Sequence, residues 1–478
     1  MKRVVIIVGG IAGLSAAYSL REHQKDGAAF EILILERKAA VGGNIKTEKV
    51  DGFIVEGGPD CFLSEKPWAM ELCRRIGMED RFLSTNDSKR KTFVLSGGKL
   101  HELPEGVILM VPTKILPLVT STLISFRGKL RMAMEMFIPR KKTPGDESLG
   151  QFVRRRLGKE ALDKIAEPLV AGVHAGDPET MSIRSSFPKF VQLEEEHGSL
   201  IRGMVKKMAT MRKAPRPASA KKKVTMFMTL SGGLTEMIET LVTLLKKSGN
   251  TEIRTGVDVT GVEKKGEYYE VSIYGAPSIK ADSVIIAAPA YAASALLKGL
   301  DPWISERLST IPYVSTATVS IAFKKKDVAH PLNGFGFVVP KTENRKIMAA
   351  TWTSVKFSGR APEDSILIRC FVGGSKNTEL VDMSDADMVK MIRAELKDIM
   401  SIDAEPVLTR VFKWKDSMPQ YTIGHDERIA SMEEKLAKYH GLYLAGSAYH
   451  GIGIADSVRF SEVVAKKDVA VKWCKHAS

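Results

Sequence analysis

Cysteine is scarce in this 478-residue chain: there are four, Cys61, Cys73, Cys370 and Cys474, and no two form a C-x-x-C pair. That scatter argues against a disulfide scaffold, a zinc ribbon and a thioredoxin-like redox site. Aromatic residues make up 7% of the chain, and none interrupts its densest basic run, so the stacking platform that nucleic-acid binders use is missing. An uninterrupted membrane span is also lacking. The most apolar stretch, Gly106 to Phe126, carries Pro112, Lys114 and Pro117 near its middle. It reads as short helices, packed in a core or lying on a membrane surface, with burial the favoured outcome. Met1-Lys2-Arg3 runs straight into the strand-like Val4–Val8, which leaves no room for a leader and predicts a cytoplasmic location. The apolar fraction, 44%, suffices for several cores, and the length predicts two to four domains.

Acid is the other local shortage. The chain carries 71 Lys+Arg against 56 Asp+Glu, a formal net charge of +15. Between Lys99 and Lys223 there are 24 basic and 13 acidic residues, so 11 of the 15 excess charges lie there. Arg202 to Lys223 holds nine basic residues and no acid, with Pro215 and Pro217. It reads as a solvated connector. A surface loop and an attractor of an anionic partner, lipid or multiply charged small molecule, both stay open. Nucleic acid is excluded as a partner for want of a recognition motif.

What is present begins at the N-terminus. Arg3–Val8 is an apolar run of strand length, followed by Gly9-Gly10-Ile11-Ala12-Gly13 and a helical pattern through Leu14, Ala17, Tyr18 and Leu20. A second strand, Glu31–Leu35, ends at Glu36. Strand, glycine turn, helix, strand and acid is the dinucleotide-binding order. The glycines admit a pyrophosphate to the helix N-terminus, and Glu36 suits a ribose diol while repelling a ribose phosphate. Val8 occupies the place of the motif's first glycine. If that position takes positive φ, a β-branched residue there is strained by ~1–3 kcal/mol. A binding protein whose nucleotide site Val8 has disabled is the non-enzymatic reading.

The chain continues with Arg37, Val41-Gly42-Gly43-Asn44, Asp51-Gly52-Phe53 and Glu56-Gly57-Gly58-Pro59-Asp60. Here it resembles the flavin-dependent oxidase superfamily that includes monoamine oxidases, phytoene desaturases and protoporphyrinogen oxidases. The resemblance implies that Gly9, Gly10, Ile11, Ala12, Gly13, Glu36 and Arg37 bind FAD, and that Gly42 and Gly43 lie against its phosphates. Asn44 stands where the superfamily usually has Arg or Lys, so no charged contact is carried over. Thr229–Leu234 matches an internal Gly-Gly-Leu signature, and residues 252–288 read as a β-meander returning to the FAD sheet, with Val259 near the adenine by resemblance. Gly441–Gly446 and Gly451–Asp456 open a final helical pattern. By the same resemblance Gly446, Ile452, Gly453 and Ile454 bind the cofactor, the helix starting under the flavin.

Three segments resemble the porphyrinogen-oxidase branch, especially its Gram-positive form: Glu56–Leu63, with Gly57, Gly58, Pro59 and Asp60 as cofactor contacts; Glu167–Asp177; and Trp414–Tyr421, with Trp414 near FAD. The resemblance implies an α/β protein with three parts. A discontinuous Rossmann-like FAD-binding domain comprises 1–72, 216–295 and 428–478. A mixed-sheet substrate domain comprises 73–95 and 296–427. A helical insertion domain covers 96–205, and 206–215 form a basic connector.

The implied reaction is six-electron oxidation of coproporphyrinogen III to coproporphyrin III in heme synthesis, with O2 as acceptor and H2O2 released. Protoporphyrinogen IX is the alternative substrate, and an amine oxidase or desaturase the distant one. Lys66 would meet a propionate and Val173 line the slot. FAD is expected to be noncovalent, because Ser447-Ala448-Tyr449-His450 contains no cysteine. No general base is assigned. His174, His425 and His450 read as structural, and no metal site is expected. Peripheral contact with the inner face of a membrane and hand-off to other heme-pathway enzymes complete the implied partners.

Overall fold

The computed structural model describes residues 2–24, 30–108, 111–112, 115–143, 145–213 and 224–472. Five strands form one parallel sheet: β1 (Lys2–Ile7), β2 (Phe30–Glu36), β3 (Thr251–Thr255), β4 (Ser283–Ile286) and β5 (Leu442–Leu444). Their order is β3-β2-β1-β4-β5, the doubly wound arrangement. The central strands are covered on both faces, which is why they read as continuous apolar runs rather than alternating ones. Val4, Ile6, Ile32 and Ile34 face helix α1 (Ile11–Gln24) and the C-terminal helix α2 (Ile454–Lys472). Val5, Ile7, Leu33 and Leu35 face the meander Val259–Ala281 and helix Ala290–Leu297. Arg75 fastens this assembly by pairing with Glu22 on α1 at 2.7 Å and with Glu462 on α2. The beginning, middle and end of the chain thus build a single sheet.

A second, seven-stranded sheet runs Leu408–Pro419, Tyr313–Lys324, Ser365–Gly373, Ile347–Trp352, Gly336–Val338, Thr92–Ser96, Lys99–Glu102. All neighbours are antiparallel except Gly336–Val338 with Thr92–Ser96, so the sheet is mixed. Its edge strand Lys99–Glu102 falls inside 96–205, the range expected to be helical, because it pairs antiparallel with Thr92–Ser96 as a hairpin. Helix Asp385–Met400 backs the sheet, capped by Ser384 Oγ accepting from Asp387 N.

The helical part packs around Leu123, Ile124, Phe152, Val153 and Ile165. Its charges are organised rather than dispersed. Arg156 is fully buried against Glu135, which also accepts from Ser199 Oγ at 2.6 Å and Leu200 N at 2.9 Å. Breaking such a buried pair on one side costs about 3–5 kcal/mol. Two sequence expectations are corrected here. Of the apolar stretch ending at Phe126, Leu118, Leu123 and Ile124 are buried, but Leu116 and Phe126 are 74% and 81% exposed; burial is therefore partial. Part of the basic connector is helical, since helix Leu200–Lys213 includes 206–213, while 214–223 lie outside the described residues. Among the described residues no helix is long and apolar enough to cross a membrane.

Candidate flavin and substrate site

The turn after β1 is shaped by contact. Gly13 sits where α1 crosses the end of β1, and a Cβ there would lie 2.1 Å from the Val8 carbonyl oxygen. A Cβ on Gly9 would lie 2.6 Å from Val41 Cγ1. Gly10 forms a backbone bridge to Gly42, and Gly42 N donates to Gly9 O at 2.8 Å. Gly43, at φ 61°, stands against Gly10 backbone to backbone. Two glycine pairs therefore form a side-chain-free cradle beside Ile11 and Ala12, the first residues of α1. The opening N–H groups of a helix have no intrahelical partner, and α1 has no acid in its first turn. This cradle fits a dinucleotide pyrophosphate.

Val8 does take the positive φ its position demands, 81°, while its N–H donates to Leu35 O at 2.8 Å. Glu36 is buried, and its two carboxylate oxygens accept from Gly9 N and Lys38 N, each at 2.9 Å. Arg37 beside it is exposed. Val259 packs against the same apolar cluster as Val8.

The Gly57–Cys61 loop is gripped from the seven-stranded sheet. Gly57 O accepts from Thr318 Oγ1 at 2.7 Å and Trp414 Nε1 at 2.8 Å, and Gly58 O accepts from Arg369. A Cβ on Gly58 would lie 1.7 Å from Asn44 O, so Asn44 meets the loop through its backbone. Pro59 is half-buried. Asp60 takes Lys356 Nζ on Oδ2 at 2.9 Å and Cys61 Sγ on Oδ1 at 3.0 Å. Burial works to raise the Asp60 carboxyl, but the Lys356 ammonium and Arg369 guanidinium outweigh it and hold it well below the usual range. Burial and the Asp60 charge push the Cys61 thiol up to about 12, which makes it a poor nucleophile. Thr318, Lys356 and Arg369 were not singled out from the sequence. The available signal was a lone charged residue, Arg369, inside the strand SILIRCFVG.

At the other end, Gly446 adopts φ 119° after β5, where Ala445 N donates to Ile286 O at 2.9 Å. Tyr421 Oη bridges the following segment, donating to Ser447 O and accepting from Gly451 N, both at 2.7 Å. Ile452 and Gly453 then lead into α2, where Ile454 is buried and Gly453 O accepts from Ser457 N at 3.0 Å. Asp456 in the first turn of α2 pairs with Lys66 at 2.5 Å, so the expected propionate-binding cation already has a carboxylate partner.

Val173, 64% exposed, ends helix Glu167–His174. Leu63 and Met226 are also exposed, and Leu63 is close in sequence to Lys66 and to Glu65 of the Lys189–Glu65 pair. Ser64 N donates to Met226 O at 3.0 Å, tying these segments together. The histidines do not converge. Burial, then the Lys66 charge, push His174 down to about 4, and its ring stands edge-on to Phe187 at 5.3 Å. His425 stacks on Tyr421 at 3.9 Å, and His450 pairs with Glu433 at 2.8 Å.

Residues 11–461 match the family described as flavin containing amine oxidoreductase. The chain is 39% identical over 459 residues to a coproporphyrinogen III oxidase of Bacillus subtilis, covering 96% of each chain. It is 32% identical to the corresponding Staphylococcus aureus protein, covering 98% of this chain and 99% of that one. Protoporphyrinogen oxidase 1 of Arabidopsis thaliana is 30% identical, over 95% of this chain and 85% of that one. A crystal structure from Exiguobacterium sp. 255-15, provisionally named a protoporphyrinogen oxidase, superposes with a TM-score of 0.83 at 32% identity, covering 97% of this chain and 98% of that one. Together with the glycine cradle, these similarities establish that the chain belongs to the flavin containing amine oxidoreductase family, on its FAD-dependent porphyrinogen-oxidase branch.

Proposed function

We propose that this chain oxidises coproporphyrinogen III to coproporphyrin III, with noncovalent FAD and O2 as terminal acceptor and H2O2 as by-product. The observation that carries this is similarity to three coproporphyrinogen III oxidases across at least 95% of the chain. FAD supplies a two-electron acceptor, so three rounds remove the six electrons.

The protein's own part is binding and orientation. The paired glycines and the start of α1 hold the pyrophosphate, and Glu36 lies at the ribose end. The Gly57–Asp60 loop and Trp414 border the ring. Exposed Leu63, Val173 and Met226 offer apolar surface to a macrocycle, and Lys66 exchanges Asp456 for a propionate. In this reading the parts 1–72, 216–295 and 428–478 carry FAD, and the seven-stranded sheet faces the substrate.

Contact with an anionic lipid surface belongs to the same proposal. Phe126, Leu130 and Met134 recur at four-residue spacing along helix Phe126–Ala133 and the turn Met134–Phe137, and all are exposed, as is Phe137. Arg127, Arg140 and Lys142 are exposed on the same segment. An apolar stripe with cations beside it suits a membrane interface. Such a location would also favour hand-off to other heme-pathway enzymes.

The test is an aerobic assay of the FAD-loaded protein with both porphyrinogens, putrescine and phytoene. Porphyrin fluorescence from the porphyrinogens alone supports the proposal, and turnover confined to the amine or the carotene defeats it.

A further inference from the structure

Between the Gly57–Cys61 loop and the seven-stranded sheet lies a layer of buried charge that the chemistry above does not use. It holds three cations, Lys356, Arg360 and Arg369, and two acids, Glu56 and Asp60. Arg369 is 3% exposed. Its Nη2 reaches the carbonyl oxygens of Gly58 and, at 3.5 Å, Gly57, while its buried Nε has no hydrogen-bond partner. Lys356 Nζ bonds Asp60 and lies 3.5 Å from Cys61 Sγ, with the rings of Phe227 and Phe357 at 5.0 and 5.1 Å. Arg360 is spent on Leu230 O at 2.8 Å and Thr229 Oγ1 at 3.1 Å.

Holding the loop does not require this charge. Thr318 and Trp414 already anchor Gly57 O with neutral donors. The direct hydrogen bonds of the Arg369 guanidinium go to neutral carbonyls, and Asp60 and Glu56 act on it only through their charge; a buried charge is costly unless it is paired and hydrogen-bonded. Cations outnumber acids here by three to two. Burial raises the Glu56 carboxyl, opposed by hydrogen bonds from Thr47 and Leu234 N and by the Arg360 and Arg369 guanidiniums.

We propose that Arg369 and Lys356 are positioning residues that set the reduction potential of the bound flavin: lying against the Gly57–Asp60 loop, they place beneath it positive charge that favours the anionic, reduced ring. Charge–charge terms of this kind carry far in a low-dielectric layer. The inference rests on FAD lying against this loop and is independent of the substrate.

The test is a redox titration of the FAD-loaded protein against reference dyes, with FAD affinity measured alongside, for R369M, R369K and K356M. In R369M and K356M the equilibrium constant for flavin reduction falls about tenfold or more, about 30 mV for a two-electron couple. In R369K, which keeps the charge, it stays within about threefold of wild type. A wild-type potential in both R369M and K356M overturns the proposal. So does a fall in R369K as large as that in R369M, since geometry rather than charge would then be responsible. Loss of FAD from all three variants also overturns it, because the cluster would then be a folding or binding element. No substrate enters the titration, so failure of the porphyrinogen reading leaves this result standing.

Discussion

The Gly9 N–H donates to Glu36 Oε2 across 2.9 Å, which makes the turn after β1 and the last residue of β2 one hydrogen-bonded unit. The other Glu36 oxygen accepts from Lys38 N. Replacing Glu36 with Ala leaves the buried Gly9 N–H without its acceptor, at about 1–3 kcal/mol, and frees the Lys38 N–H at the exposed end of the strand. E36A is expected to lower the thermal midpoint and to lose FAD on gel filtration. An unchanged midpoint with full FAD content would show that this bond is dispensable.

Val8 holds φ 81°, a conformation glycine adopts freely and a β-branched residue does not. V8G is expected to relieve ~1–3 kcal/mol of strain, less the ~0.5–1 kcal/mol glycine costs through unfolded-chain entropy. The predicted result is tighter FAD retention, read from the dissociation constant of the reconstituted apoprotein. Equal or weaker retention would mean that the native turn accommodates valine without strain.

How much of this was legible in the sequence depends on range. The units β1–α1–β2 and β5–α2 announce themselves because apolar runs, glycines and Glu36 are close in sequence. The cationic layer does not. Lys356 lies 296 residues from Asp60 and Arg369 lies 311 from Gly58, and only sheet pairing brings them to the loop. Thr318 looked like any threonine in a strand, where its branching is favoured. The apolar segment ending at Phe126 misled for another reason. Four-residue spacing is the same whether a helix stripe faces a core or the outside, and here neighbouring residues divide between the two.

His425 is fully buried between Tyr421 and the Tyr449 carbonyl, and burial pushes it down to about 4 against about 6.5 in an unfolded chain. Between those values the unfolded chain binds the proton and the folded one does not. Stability therefore falls as pH drops from about 6.5 to about 4, by roughly 3 kcal/mol at the limit. Urea midpoints at pH 7.5 and 5 should separate widely in wild type and less in H425F, which keeps an aromatic ring against Tyr421. An equal separation in both would assign the acid sensitivity elsewhere.

Phe126 and Phe137 are largely exposed and distant in role from the flavin loop. F126S with F137S is expected to weaken sedimentation with phosphatidylglycerol vesicles at least about tenfold, at ~25 cal/mol per Å² of apolar area lost from the contact. Turnover in detergent-free buffer should not change. Undiminished vesicle binding would remove the lipid-contact reading.

The substrate assignment is most directly tested by kcat/KM for coproporphyrinogen III and protoporphyrinogen IX, measured side by side on one FAD-loaded preparation by porphyrin fluorescence. The account predicts turnover of both, with the ratio favouring coproporphyrinogen III. A ratio favouring protoporphyrinogen IX would reverse the assignment within the branch, and no fluorescence from either substrate would contradict it altogether.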